Sequence, residues 1–417
     1  MLKLNVNSLL VGLSLLTAAN LHADWPEFRG PSHAGKVATE DLPLRWSASE
    51  NIRWRTELPG SGWSSPIVVG STIYMTAAVP AEAPSESAGY ELVALLVDAA
   101  SGELRKQVSV FQQADSAPQI HSKNSHASPT PVFDGEHIYL HFGHQGTACM
   151  SLTGELLWKN DALGYPPVHG NGGSPMVVGS LLVFSRDGAD IAEIIALDKR
   201  TGEVAWQTSR EVKASKQFSF CTPALFEIAS KPHLILPGSN VVQSLDPSTG
   251  QELWRVEYEG YSVIPRPIYE AGLVFVCTGY DRPSLLAIDP TGSGDVTETH
   301  VRWRAGPGIA HTPSLIGHNG QVITVTDNGI ASCFDALTGK ELWKERIGGN
   351  FSASPLLVGN LVYLLSEAGV CTVLDISQQP PREIASNRIE ERCLASFAVV
   401  DGELLLRSDK ALYRIQR

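Results

Sequence analysis

The chain has six cysteines in 417 residues, and no two of them are adjacent or spaced as Cys-x-x-Cys. Zinc-ribbon, haem-attachment and dithiol chemistry therefore find no pattern here. After residue 23 no apolar run is long enough to cross a bilayer, so no transmembrane segment is expected. Cations are in deficit. The 32 Lys and Arg face 44 Asp and Glu, a formal net charge of −12. Such a surface repels phosphate backbones and argues against nucleic acid as a partner. A serine-hydrolase elbow, Gly-x-Ser-x-Gly, is missing too, and Gly292-Ser293-Gly294 does not supply one. No stretch sustains a helical period, so a phosphate-binding glycine loop, which needs a helix after it, is not expected.

What is present begins with a leader. Lys3 is the only charge in residues 1–23, an apolar stretch runs from Leu9 to Ala19, and Leu-His-Ala precedes Asp24. That order is the pattern of a secretory signal, and it places the protein in the periplasm or outside the cell. No cysteine follows the expected cut, so a lipid anchor is not indicated. The six cysteines (Cys149, Cys221, Cys277, Cys333, Cys371, Cys393) sit among apolar neighbours, which suggests buried thiols in strands.

The chain repeats one phrase. LDKRTGEVAW (197–206), LDPSTGQELW (245–254) and DALTGKELW (335–343) are near copies. SLTGELLW (151–158) is a shortened form, and IDPTGSGDVTETHVRW (288–303) a stretched one. In DALTGKELW, Asp335 and Thr338 can accept hydrogen bonds from turn N–H groups, and Gly339 supplies the positive φ that closes a hairpin. Trp343 then lies in the next strand, where a large flat ring can fill the gap between neighbouring sheets. Upstream of each phrase a small residue or arginine precedes Pro: SSP (64–66), ASP (127–129), GSP (173–175), CTP (221–223), IPRP (264–267), HTP (311–313) and ASP (353–355). Short apolar strands and polar turns follow, as in PLLVGNLVYLLS (355–366). Four-stranded units at spacings of roughly 40 to 50 residues predict a β-propeller. The Pro marks give seven blades. The tail at 396–417 has three strands, and NIRWRTEL (51–58) has a Trp but no blade of its own. Pairing the two ends predicts an all-β, eight-bladed propeller of four-stranded antiparallel blades over 51–417, behind a 24–50 extension. Its structural tryptophans are Trp54, Trp158, Trp206, Trp254, Trp303 and Trp343.

The phrase Ala196-x-Asp198-x-x-x-Gly202-x-x-x-Trp206 resembles the tryptophan-docking pattern of pyrroloquinoline-quinone-like (PQQ-like) propeller repeats. The units ending at Trp254 and Trp343 match it apart from Ser244 and Cys333 at the first position, and Met150 replaces the Asp in the unit ending at Trp158. The blade at 92–107 carries Lys106 where Trp belongs. The blocks DWPEFRGP (24–31), KNSHASPTP (123–131), HFGHQGTAC (141–149) and HGNGGSP (169–175) are similar to those of secreted bacterial propellers of this class. The resemblance extends to the propeller subunit of the outer-membrane β-barrel assembly machinery, which is a scaffold. Quinoprotein dehydrogenases of the same fold use an adjacent cysteine pair against the quinone, a calcium held by carboxylate and amide, and a catalytic Asp. This chain has no adjacent cysteines.

In a propeller the loops leading into the innermost strands share one mouth with the turns between second and third strands. Trp63, Asn124, His126, His169, Asn171, Phe220 and His311 precede the Pro marks. The turns add His144, Asp187, Arg282 and Asp327. Imidazoles, carboxylates, a guanidinium and aromatics at one opening suit a polar ligand; short turns also favour Asp and Asn for their own geometry. His141-x-x-His144 before Cys149 has partial metal spacing, but Phe142-Gly143 breaks it, and no metal is expected. The sequence thus reads as a monomeric, exported, non-catalytic propeller without a cofactor, binding a small polar ligand or a partner protein at the channel mouth. The alternative is a quinoprotein-type oxidoreductase using PQQ and calcium.

Overall fold

The computed structural model describes residues 25–37, 41–81, 89–113 and 120–417. The leader expected at 1–23 lies outside the described residues. Eight antiparallel sheets follow one another along the chain. Their innermost strands are Ile67–Val69, Val132–Phe133, Met176–Val178, Ala224–Ile228, Ile268–Glu270, Ile316–His318, Leu356–Val358 and Ala398–Val400, which number the blades one to eight. Blade eight takes its outermost strand from the other end of the chain: Ile52–Glu57 pairs antiparallel with Ala411–Ile415 and closes the ring. The one helical element among the described residues is a short 3₁₀ turn at Gly143–Gln145.

The repeated phrase is the joint between blades. Asp335 Oδ1 accepts the Thr338 N–H at 2.8 Å, and the Gly339 N–H donates to the Asp335 carbonyl at 2.9 Å. Gly339 has φ +71°, and a Cβ there would stand 2.6 Å from the Trp303 ring of blade five. Trp54 meets Gly102, Trp158 meets Gly202 and Trp206 meets Gly250 in the same way. Each of these four indoles donates to a carbonyl in the next blade, at 2.9 to 3.2 Å. Trp254 and Trp343 are buried without such a glycine. The stretched loop of blade five instead lays Gly294–Asp295 beside Trp254 as an extra parallel strand. Where blade one has Lys106 in place of Trp, its ammonium reaches the same turn of blade two, donating to Thr153 and Gly154 carbonyls at 2.9 and 3.2 Å.

The small residue before each innermost strand has a second job. Two positions before the strand stand Ser65, Thr130, Ser174, Thr222, Arg266, Ser314, Ser354 and Ser396. Seven backbone N–H groups in this circle donate to the hydroxyl of the next blade, at 2.9 to 3.1 Å. These are buried donors that would otherwise be orphaned. The hydroxyl circle corrects two Pro marks. In blade two the strand follows Thr130-Pro131, not Ser128-Pro129, and in blade six it follows Ser314, one residue past Pro313. The circle is broken at Arg266, the one member without a hydroxyl.

Arg266 holds a plug. Its guanidinium donates to the Pro223 carbonyl at 2.8 Å, to Glu27 at 2.7 Å and to the Phe28 carbonyl at 2.9 Å. Residues 25–37 lie against the inner ends of several blades. Trp25 bridges Val68 of blade one, the Pro26 carbonyl accepts from Phe133 of blade two, and Arg29 donates to the Leu315 carbonyl of blade six at 2.7 Å. Lys36–Val37 then adds a parallel strand inside Leu356–Val358 of blade seven. Glu27 also accepts from His33 at 2.6 Å. Burial works to raise the Glu27 carboxyl, and the charges and hydrogen bonds of Arg266 and His33 more than reverse it, so it sits below the ordinary carboxylate range. One end of the channel is closed.

Candidate functional site

The other end is a cup of about 820 Å³, and every blade contributes a residue from the loop before its innermost strand. Phe28 of the plug and the hydroxyl circle form the bottom. The wall is a run of rings in edge contact from blade two to blade six. His121 meets His169 at 5.7 Å, His169 meets Phe218 at 5.3 Å, and Phe218 meets Tyr261 at 5.7 Å. Tyr261 meets Tyr280 at 5.7 Å, and Tyr280 meets His311 at 5.2 Å. Edge-to-face contact fixes the rings against one another. Lys216 stands 3.9 Å over the Tyr261 ring, and Arg392 lies 5.5 Å from the Trp63 ring.

The segment 120–124 reaches across this mouth. The His121 N–H and the Asn124 side chain both donate to the His169 carbonyl of blade three, at 3.1 and 2.9 Å. The Ser122 carbonyl accepts from Arg392, before blade eight, at 3.0 Å. Lys123 pairs with Glu367 of blade seven at 2.8 Å and approaches Asp327 of blade six at 3.7 Å. Burial works to raise the Glu367 carboxyl, and hydrogen bonds from Lys123 and Ser352 outweigh it and hold the group ionised below its ordinary range. The His169 imidazole is pushed down, first by burial and then by His121 and Lys216.

Six of the residues expected at the mouth line the cup: Trp63, Asn124, His169, Phe220, His311 and Asp327. Asp327 also has a structural duty, accepting the His311 and Thr312 N–H groups at 2.9 and 3.2 Å and the Thr312 hydroxyl at 2.6 Å. The structure sets four others apart from the lining. Asp187 is fully buried in a two-pronged pair with Arg210, at 2.8 and 2.9 Å. Asn171 is spent on Tyr165, the Phe142 carbonyl and His144, at 2.6, 3.2 and 3.1 Å. His144, in that same network, is pushed down to about 4 by burial and by His126. His126 packs on Tyr90 at 4.8 Å. Arg282 lines a neighbouring cleft of about 1000 Å³ that shares Lys123, His311 and Asp327 with the cup. Among the lining residues missed by sequence reasoning are His121, Lys123, Lys216, Phe218, Tyr261 and Tyr280. Lys216-x-Phe218-x-Phe220 carried a legible signal, since alternate residues of an extended segment face one way.

A family model described as outer membrane protein assembly factor BamB matches residues 37–166, 91–297 and 238–379, most of the chain. The chain belongs to this family of PQQ-like propellers. BamB from Yersinia pestis is 25% identical over 213 residues, 46% of this chain and 51% of that protein. The match therefore spans about half the length of that relative. Among solved structures, BamB from Moraxella catarrhalis is similar with a TM-score of 0.52 and 13% identity, over 82% of this chain and 97% of its own. Quinohemoprotein alcohol dehydrogenase from Comamonas testosteroni is similar with a TM-score of 0.64 and 12% identity, over 94% of this chain and 80% of its own. At those identities the likeness is one of fold.

A quinohemoprotein shares the fold, and a quinone held with calcium needs carboxylate ligands at the channel mouth. Among the described residues no three His, Cys, Asp or Glu side chains come together as a metal site. Asp327 is the one carboxylate among the described lining residues, and its oxygens are committed as above. The six cysteines are separate buried thiols, and burial raises each of them. These residues do not suit that pair of cofactors.

Proposed function

We propose that this chain is a non-catalytic binding module whose seat is the cup, receiving a polar group that also offers a face to aromatic rings. The group arrives on a small molecule or on a projecting segment of a partner protein. The observation that carries this reading is the closed cup itself: eight blades converge on one opening, floored by Phe28 and walled by aromatic rings. The titratable groups there are tied to structural partners, with no nucleophile beside a base. Family membership supports a binding role, since the relatives are named as assembly factors. The leader pattern at 1–23 supports export. Among the described residues no helix is long and apolar enough to cross a membrane.

Ligand-observed NMR tests the reading, with a panel of sugars, amino acids and short peptides against the wild type and Phe220→Ala. Signals from one chemical class that weaken in the variant are expected, and peptide hits against free-sugar hits separate the two sources. Binding that is indifferent to Phe220→Ala and to Tyr261→Ala would overturn the cup as the seat.

A further inference from the structure

The cleft beside the cup carries charge that nothing in the fold uses. It lies at blades five and six, and Arg282, Arg304, Asp281 and Asp327 supply its charged walls, with Lys123 at its junction with the cup. The structure otherwise spends its arginines. Among the described residues only Arg282, Arg304, Arg346 and Arg388 have no side-chain ion pair, hydrogen bond or ring contact, in a chain of net charge −12. Two of those four face one cleft. The acids beside them are engaged elsewhere: Asp327 by Thr312 and the His311 N–H, and Asp281 by the Tyr261 hydroxyl at 3.1 Å on the cup side. Lys123 is neutralised by Glu367. What remains is a pair of guanidiniums with their donor forks open, beside one uncommitted oxygen of Asp281.

We propose that this cleft holds an oxyanion, a carboxylate, sulfate or phosphate group, of the ligand whose body lies in the cup. The proposal rests on the cup reading above. A guanidinium fork matches two oxygens of such a group and binds it as a charge-assisted pair. Continuity comes from the shared wall: the ring run of the cup ends at Tyr280 and His311, and His311, Lys123 and Asp327 border both spaces. Arg282 follows Tyr280 by two residues in the turn after Leu273–Cys277, and Arg304 sits on the outermost strand of blade five, Val301–Ala305. A ligand lying on the rings thus reaches the arginines with its acidic end.

The test is calorimetry of the full chain with sodium sulfate, phosphate and acetate at constant ionic strength against chloride. The wild type is expected to bind at least one of the three saturably, and the arms identify which oxyanion it prefers. The double variant Arg282→Gln with Arg304→Gln should bind about tenfold more weakly or worse, the loss expected for charged hydrogen bonds. Arg346→Gln should bind as the wild type does. Both cleft arginines are exposed, so an unchanged melting temperature of the double variant confirms that it is folded. No response above chloride, or equal binding by the double variant, would overturn the proposal. Phe220→Ala separates the two readings: it should leave oxyanion binding intact while weakening the larger ligand. Oxyanion binding together with no cup ligand would fail the cup and keep the cleft.

Discussion

The two ends of the channel are built on opposite rules. At the closed end charges are buried and paired across a long stretch of sequence, Arg266 with Glu27, and Glu27 also accepts from the half-exposed His33 six residues away. At the open end the rings are partly exposed, as with Tyr280 at 52%, and the cations form surface contacts. A buried pair is costly to break, because the partner left behind stays desolvated and uncompensated. An exposed ring contributes little to folding and is available to a ligand. On the proposed reading the plug of residues 25–37, held by Arg266, serves stability, and the mouth, built by the loops before the innermost strands, serves recognition.

The largest expected effect breaks the closed end. Arg266→Ala should cost about 3–5 kcal/mol, the range for losing one member of a buried pair. Denaturant unfolding checks it. Arg266→Ser sharpens the point, because it supplies the missing hydroxyl of the circle. It should remain strongly destabilised if the plug, and not the circle, is what Arg266 supports. Next comes the circle: Ser174→Ala leaves the Thr130 N–H without its acceptor and should cost about 1–3 kcal/mol. At the open end, Tyr280→Ala should change stability by no more than about 0.5 kcal/mol while weakening ligand binding. A large loss of stability there would erase the distinction between the two ends.

A separate effect is a dependence on pH. Burial pushes His141 down to about 3 and His144 to about 4. Both groups are neutral when folded and would take up protons when unfolded. Their contribution is therefore complete above the ordinary value of 6.5 and is lost as pH falls from there toward the folded values. Glu27 acts lower: its contribution is present above 4.5 and goes as pH falls through its depressed value. Melting temperatures between pH 7 and pH 4 should fall less steeply in His144→Gln than in the wild type.

Much of this was legible in the sequence, for reasons that can be named. The ring was, because Asp335, Gly339 and their counterparts meet local turn requirements, and Trp54 stands where blade eight lacks a strand. The hydroxyl circle was only half legible. The small residue before Pro was visible, but that its oxygen serves the next blade depends on contacts at least 40 residues apart, and 331 apart where the ring closes. DWPEFRGP gave no hint of a plug, since Glu27 and Arg266 are 239 residues apart. At the mouth, position before a strand did not decide direction. His126 and Asn171 turn into local packing, whereas Phe218 and Tyr261, with the same backbone placement, face the opening.

One measurement bears most directly on the claim that the cup binds and does not catalyse. Titrating the chain with pyrroloquinoline quinone and calcium, while following melting temperature, absorbance and reduction of an electron-accepting dye, should give a flat response in all three. A saturable rise in melting temperature with dye reduction would contradict the account and make the propeller a quinoprotein.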